Sequence, residues 1–212
     1  MKIELFYAPV ACPLVPYLLL EEAGAKFDVH VLNLRAGQQR SPDFLKLNPK
    51  HKVPLLLVDG VPLTENLAIQ TWIARSFPEA GLLPTDTWGE CQALSLLSWC
   101  ASGFHPLLSR INAPGKYCGA DCSPDTVAEI AKDQLLQQFR IAEDLLAGRE
   151  YFLDSFSAAD AYFFWCTRRA GLLGVNLSGL PGCRAHFERV GDRPSAKAVL
   201  QFEAEVLAAA SE

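Results

Sequence analysis

No apolar run long enough to span a bilayer, roughly 18 residues or more, occurs in the 212-residue chain, so no transmembrane helix is expected. Positive charge is scarce: 19 Lys and Arg stand against 24 Asp and Glu, for a net charge of −5. That balance offers no electrostatic footprint for nucleic acid or an anionic membrane, and neither is expected as a partner. Regularly spaced cysteines are missing too. The seven present are an odd number without pattern, which speaks against a disulfide framework and for a reducing, cytoplasmic setting. Cys118 and Cys122 lie close in sequence, but no second ligand pair follows at zinc-site spacing; no metal is expected, and the two read as loop cysteines. There is no internal repeat and no low-complexity tract. A secretory leader is not expected, because Glu4, the prolines within Leu5–Leu20 and Glu21-Glu22 break the pattern that one requires.

What is present is ordinary for a globular chain, 50% apolar and 20% charged, and long enough for one large or two small domains. The most informative stretch is residues 3–20. Ile3 to Tyr7 alternates as a short strand does, and Pro9 ends it. Cys12 stands directly before Pro13, and proline is favoured at a first helical position because its missing N–H would be unpaired there anyway. The apolar helix that follows is closed by Gly24. Cys12 is thereby placed at a helix N-terminus, where unpaired N–H groups and the helix dipole favour a thiolate, so a lowered thiol pKa is expected. The plainer alternative is a small core residue, as most cysteines are.

Further on, Phe27–Leu34 alternates as a second strand. Ser41-Pro42-Asp43 caps a short helix, Phe44–Leu47, which Asn48-Pro49 stops. Leu55–Val58, Asp59-Gly60 and Val61–Leu63 read as a hairpin, and Leu67–Phe77 as a helix. Beyond residue 80 strand signals vanish. Trp88–Leu108 is a helical pattern broken at His105-Pro106, Asn112–Asp125 a loop, and Thr126–Leu146 a long helix. Ser157-Ala-Ala-Asp160 is a capping-box pattern; Arg184–Val190 and Ser195–Ala209 are further helices. The division expected is an α/β domain over residues 1–79, a linker over 80–87 and an all-helical domain over 88–212.

Several stretches, in this order and spacing, resemble the glutathione S-transferase family and its bacterial beta class, which carries a cysteine in the active site. They are Phe6-Tyr7 with Cys12 and Pro16; Phe44–Lys50; Lys52-Val-Pro-Leu55; Leu63-Thr-Glu-Asn66 with Ala68-Ile69; Ala101-Ser102 with His105; Phe156–Tyr162; and Arg193-Pro194. The resemblance implies a thioredoxin-like N-terminal domain followed by a helical bundle, with glutathione as co-substrate. Pro54 is then expected to be a cis-proline that turns the Val53 backbone toward the cysteinyl part of glutathione. Lys52 takes the glycyl carboxylate, and Glu65 and Asn66 take the γ-glutamyl end. His105 is expected to face Cys12 from the helical domain as a second catalytic residue, with Tyr7 a secondary candidate. Leu14, Phe104 and Leu108 are expected to bound the cleft for a small hydrophobic electrophile.

The activity implied is conjugation of glutathione to such electrophiles, a detoxification role, by a homodimer. Thiol–disulfide exchange with mixed disulfides is implied beside it. Val15 stands where a resolving thiol would be, so only a monothiol mechanism is available at Cys12. A glutathione-dependent thiol reductase with little conjugating activity and a non-catalytic binding protein are the alternatives. Pro13 and Asn66 depart from the serines common at these positions, and His51 and Leu153 stand where glycine is common. Pro13 leaves fewer donors for a thiolate.

Overall fold

The computed structural model describes residues 1–119 and 121–209, which divide into two compact units. One comprises residues 1–83 and the chain from Arg193 onward; the other runs over Pro84–Asp192.

In the first unit four strands make one sheet in the order β2-β1-β3-β4. β1 (Ile3–Tyr7) and β2 (Asp28–Val31) are parallel, joined by α1 (Leu14–Glu22). β3 (Leu55–Val58) runs antiparallel to β1, and β4 (Val61–Thr64) antiparallel to β3. The hairpin turn has both Asp59 and Gly60 at positive φ, 48° and 83°, as its two-residue form requires. β1 points Ile3, Leu5 and Tyr7 inward, and the helix face Leu14–Leu20 is buried almost continuously. α2 (Pro42–Leu47) is capped by Ser41, whose hydroxyl accepts the Phe44 N–H at 3.3 Å, and α3 is Asn66–Ser76. This is the thioredoxin-like domain expected from the sequence.

Two boundaries differ. β2 covers only part of Phe27–Leu34, because it is an edge strand and the chain turns away at Asn33. The Asn33 side chain accepts the Ala36 N–H at 3.0 Å, and its own N–H donates to Gln38 Oε1 at 2.7 Å. The second difference is larger. α9 (Pro194–Ala209), assigned by sequence to the helical domain of residues 88–212, packs against α1 in the first unit. Its inward face carries Ala196, Val199 and Glu203, and Phe202 stacks on Tyr17 with ring centroids 5.1 Å apart. The Arg193 guanidinium grips Glu22 of α1 through two hydrogen bonds of 2.7 Å, and Ser195 donates to the same carboxylate. Helical periodicity shows that a helix has an apolar face but not which unit covers it.

The second unit is helical: α4 (Thr87–Trp99), α5 (His105–Asn112), α6 (Pro124–Leu145), α7 (Ala158–Leu172) and α8 (Pro181–Gly191). Between α4 and α5 the helix is not broken at His105-Pro106. It widens into a π-turn over Cys100–Phe104, with the His105 N–H donating to the Cys100 carbonyl. The wider turn takes up Pro106, whose ring and missing N–H an unbroken α-helix would not accommodate. The capping box at α7 is present. Asp160, fully buried, accepts the Ser157 N–H at 2.9 Å, the Ser157 hydroxyl at 2.7 Å and the Phe152 N–H at 3.1 Å, and His186 Nε2 lies 2.9 Å away. Among the described residues no helix is long and apolar enough to cross a membrane.

Burial opposes ionisation of Glu22, but the Arg193 guanidinium and the Ser195 hydroxyl outweigh it and hold the carboxyl below its ordinary value. A carboxyl that is more acidic when folded contributes stability above its unfolded pKa and loses it as pH falls through the folded one. Glu22→Gln is therefore expected to lower stability by about 2 kcal/mol at neutral pH, read by urea denaturation. The difference from the unsubstituted protein should shrink below about pH 4.5.

Candidate active site

The loop between β1 and α1 brings Cys12 to the start of the helix through a succession of turns. The Ala11 N–H donates to the Ala8 carbonyl and the Leu14 N–H to the Ala11 carbonyl, both at 3.3 Å, and the Val15 N–H donates to the Cys12 carbonyl at 3.0 Å. Val10, a β-branched residue, is held at φ 66°, a strained conformation for such a side chain. Its N–H donates to the Glu203 carboxylate at 2.5 Å, and the Tyr7 hydroxyl donates to the same oxygen at 2.8 Å. Tyr7 and Glu203 are both buried. Tyr7 is thus part of the anchor of this loop, not an exposed hydroxyl beside a substrate. Glu203 has no counterpart in the sequence reading; the only signal for it was a lone acid on the apolar stripe of the last helix.

Cys12 is 7% exposed, and its thiol donates to the Val53 carbonyl at 3.7 Å. The expected thiolate does not materialise. Burial pushes the thiol up to about 12, and the Glu65 carboxylate adds to the rise; backbone hydrogen bonding at Cys12 and the Lys52 ammonium oppose them without prevailing. Pro13, the residue that caps α1, brings no N–H to the helix mouth. Here desolvation outweighs the dipole.

Opposite Cys12 stands the loop that enters β3. The Val53–Pro54 peptide is cis. Lys52 is exposed, Val53 half-buried and Pro54 buried. Buried Asn48 organises this loop: its side-chain amide donates to the Lys52 carbonyl at 2.6 Å, its side-chain oxygen accepts the Lys50 N–H at 3.1 Å, and its carbonyl accepts the His51 N–H at 3.0 Å. Asn48 reads in sequence only as a helix stop.

The third edge is the start of α3. Glu65 sits at φ 78°, with its side chain exposed and paired to Lys50, a partner not anticipated. Asn66 opens the helix, and its amide donates to the Cys12 carbonyl at 3.3 Å, so one nitrogen ties the α3 start to the Cys12 turn. Its Oδ1 is buried without a partner, as are both polar atoms of Gln70 one turn on. Within the first unit the fold therefore gathers Cys12, Lys52, Val53, Pro54, Glu65 and Asn66 around one end of the sheet, where β1 and β4 finish and β3 begins. That end offers backbone groups, unpaired helix N–H groups suited to a carboxylate, and side chains of both signs. It suits an extended zwitterionic peptide.

In the second unit His105 is half-buried, its Nδ1 2.8 Å from the Tyr162 hydroxyl and its ring 4.6 Å from that of Trp165. Phe104 and Leu108 do not line an open surface. Phe104, the last residue of the π-turn, is fully enclosed, edge-on to Trp99, Phe139 and Phe163, and Leu108 is buried on α5. Leu14 is likewise enclosed in the core of the first unit. The three residues expected to bound an electrophile cleft are core residues.

Residues 1–75 match the family model for the glutathione S-transferase N-terminal domain. A curated relative, glutathione S-transferase GST-4.5 of Xanthomonas campestris pv. campestris, is 32% identical over 202 residues, 94% of this chain and 98% of the relative. The solved bacterial beta-class glutathione S-transferase of Sphingomonas chungbukensis is 33% identical with a TM-score of 0.83, over 94% of this chain and 98% of that one. A sphingomonad glutathione S-transferase solved in complex with glutathione is 31% identical with a TM-score of 0.83, over 95% and 98%.

Because the Cys12 thiol is raised to about 12, it stays protonated through the neutral range. Alkylation of Cys12 by iodoacetamide, followed by peptide mass spectrometry, is expected to rise about tenfold per pH unit up to at least pH 9 with no plateau. A plateau near pH 7 would show an ordinary activated thiol instead.

Proposed function

The chain belongs to the glutathione S-transferase family, and we propose that it is a glutathione transferase that conjugates the tripeptide to small hydrophobic electrophiles. The observation that carries this reading is the end of the sheet around Cys12. An extended peptide can lie there, with Val53 offering its N–H and C=O in the manner of an added strand. Lys52 meets one carboxylate, Glu65 meets an ammonium, and the start of α3 with Asn66 meets the second carboxylate. Lys50, already paired with Glu65, adjusts when an ammonium arrives. The unpartnered Asn66 Oδ1 and the Gln70 amide give this end polar capacity to spare.

Glutathione supplies the attacking sulfur. Cys12, protonated and beside the Val53 carbonyl, donates its S–H to that sulfur as charge develops on it. His105 we assign as a proton carrier, with Tyr162 fixing its ring through Nδ1. Thiol–disulfide exchange through Cys12 is the second activity of the same site. The small thiolate fraction of Cys12 attacks the glutathionyl sulfur of a mixed disulfide; the Cys12–glutathione bond forms as the original disulfide breaks and its other thiol leaves, and without a thiol at Val15 a second glutathione must resolve the adduct, departing as glutathione disulfide. We also infer a cytoplasmic homodimer, the setting that seven unpaired cysteines favour.

Two variants test the reading. Lys52→Ala is expected to raise the KM for glutathione about tenfold with kcat nearly unchanged, the pattern of lost ground-state binding. Cys12→Ser is expected to retain conjugation of an activated aryl halide within about tenfold, since a hydroxyl also donates, while reduction of a glutathione mixed disulfide is abolished. Absence of glutathione binding by calorimetry in the unsubstituted protein would overturn the assignment and leave a binding protein of another kind.

A further inference from the structure

The turn that delivers His105 contains a glycine required for space and not for conformation. Gly103 lies inside the π-turn over Cys100–Phe104, and its backbone is not in the left-handed region. Alanine is the better helix former, so helix propensity does not account for a glycine there. A Cβ on Gly103 would lie 2.8 Å from Trp99 Cδ1, 3.0 Å from Trp99 Nε1 and 3.3 Å from Gln138 Oε1. The bare backbone lets the Trp99 indole close over the turn, and the indole is held there. Its Nε1–H donates to Gln138 Oε1 on α6 at 2.7 Å, and its ring meets that of Phe104 edge-on, with centroids 4.9 Å apart. The Ser102 hydroxyl donates back to the Ser98 carbonyl at 2.8 Å, a bond of the kind that bends a helix. His105 follows directly. It rests on α7 through Tyr162 and Trp165, both of them buried.

We propose that Gly103 is a positioning residue for the reaction: by admitting the Trp99 indole it pins the π-turn to α6 and so seats the His105 ring on Tyr162 for proton transfer. This rests on the role given to His105 above. Pro106 forbids a regular α-helical turn, but it does not set the direction in which the wider turn leans. The contact of Trp99 and Gln138 with Gly103 sets it. A side chain on Gly103 must displace either the indole or the turn. Gln138 and Phe104 hold the indole, so the turn yields, and His105, two residues on, leaves its place against Tyr162. Gly103 acts only through His105. Its loss therefore falls on the chemical step and not on glutathione affinity, since Lys52, Val53, Glu65 and Asn66 all belong to the first unit. A small misplacement of a proton-transfer group is enough to slow such a step.

The test is a double-mutant cycle between Gly103→Ala and Trp99→Ala in the full-length protein. Conjugation of an activated aryl halide gives kcat and the KM for glutathione, and nitrogen NMR follows the His105 ring. Gly103→Ala is expected to lower kcat about tenfold while the KM for glutathione stays within about twofold. It should move the His105 ring resonances in the direction that Tyr162→Phe does. In the Trp99→Ala background the same change is expected to alter kcat by less than about twofold, because the indole it would strike is gone. Should Gly103→Ala alone fail to fold, the double variant is expected to fold and to match Trp99→Ala. The proposal is overturned if Gly103→Ala folds and keeps its kcat, if its loss is as large without Trp99, if the KM for glutathione rises in place of a fall in kcat, or if the double variant does not match Trp99→Ala. His105→Ala separates this proposal from the reading it rests on. An unchanged kcat there overturns the proton-carrier role, and the His105 resonances of Gly103→Ala still decide whether Gly103 seats the ring.

Discussion

The Glu203 carboxylate is the constraint on which the catalytic loop depends. An acid buried in a protein interior is costly unless hydrogen bonds meet it, and Glu203 meets the Tyr7 hydroxyl and the Val10 N–H. In return it holds Val10 in a conformation that a β-branched residue avoids. That kink lets the chain leave β1 and place Cys12 at the mouth of α1 within five residues. The Arg193–Glu22 grip and the Phe202–Tyr17 stack keep α9 where Glu203 can reach. The thiol's position is thus set from the far end of the chain.

Much of the fold was legible because local signals agreed with one another. Ser41-Pro42, Asp59-Gly60 and Ser157–Asp160 each carry a backbone requirement that few other residues satisfy, and each produced the cap or turn expected of it. The site was legible through residues that sit at element ends: Cys12, Lys52, Val53, Glu65 and Asn66 do converge. Legibility failed where the outcome depends on what covers a surface. The home of α9, the enclosure of Leu14, Phe104 and Leu108, and the partners of Asn48, Glu203 and His186 are tertiary facts with no local signature. The π-turn is an intermediate case: Pro106 announced a disturbance in the helix, but not that a wider turn would absorb it.

The thiol at Cys12 shows two physical terms in direct competition. Helix position and backbone hydrogen bonding favour the anion, as does Lys52; near-complete burial and Glu65 oppose it and win. The difference between the two outcomes is the chemistry itself. An exposed thiolate would be a nucleophile in its own right, whereas a buried thiol is a donor beside a nucleophile that arrives with the substrate. Pro13 contributes to the second outcome, since a residue with an N–H at that position would add to the anion's support.

The first unit is discontinuous in sequence, and this gives the chain an order of assembly. A ribosome releases β1, α1 and the Cys12 loop long before the segment that carries Glu203, and domains tend to fold as soon as their residues are available. The whole helical unit, Pro84–Asp192, is made while Val10 still lacks the carboxylate that offsets its strain. The Cys12 loop is therefore made before that unit but finished only after it, and a nascent or prematurely terminated chain would carry Cys12 without the geometry that restrains it.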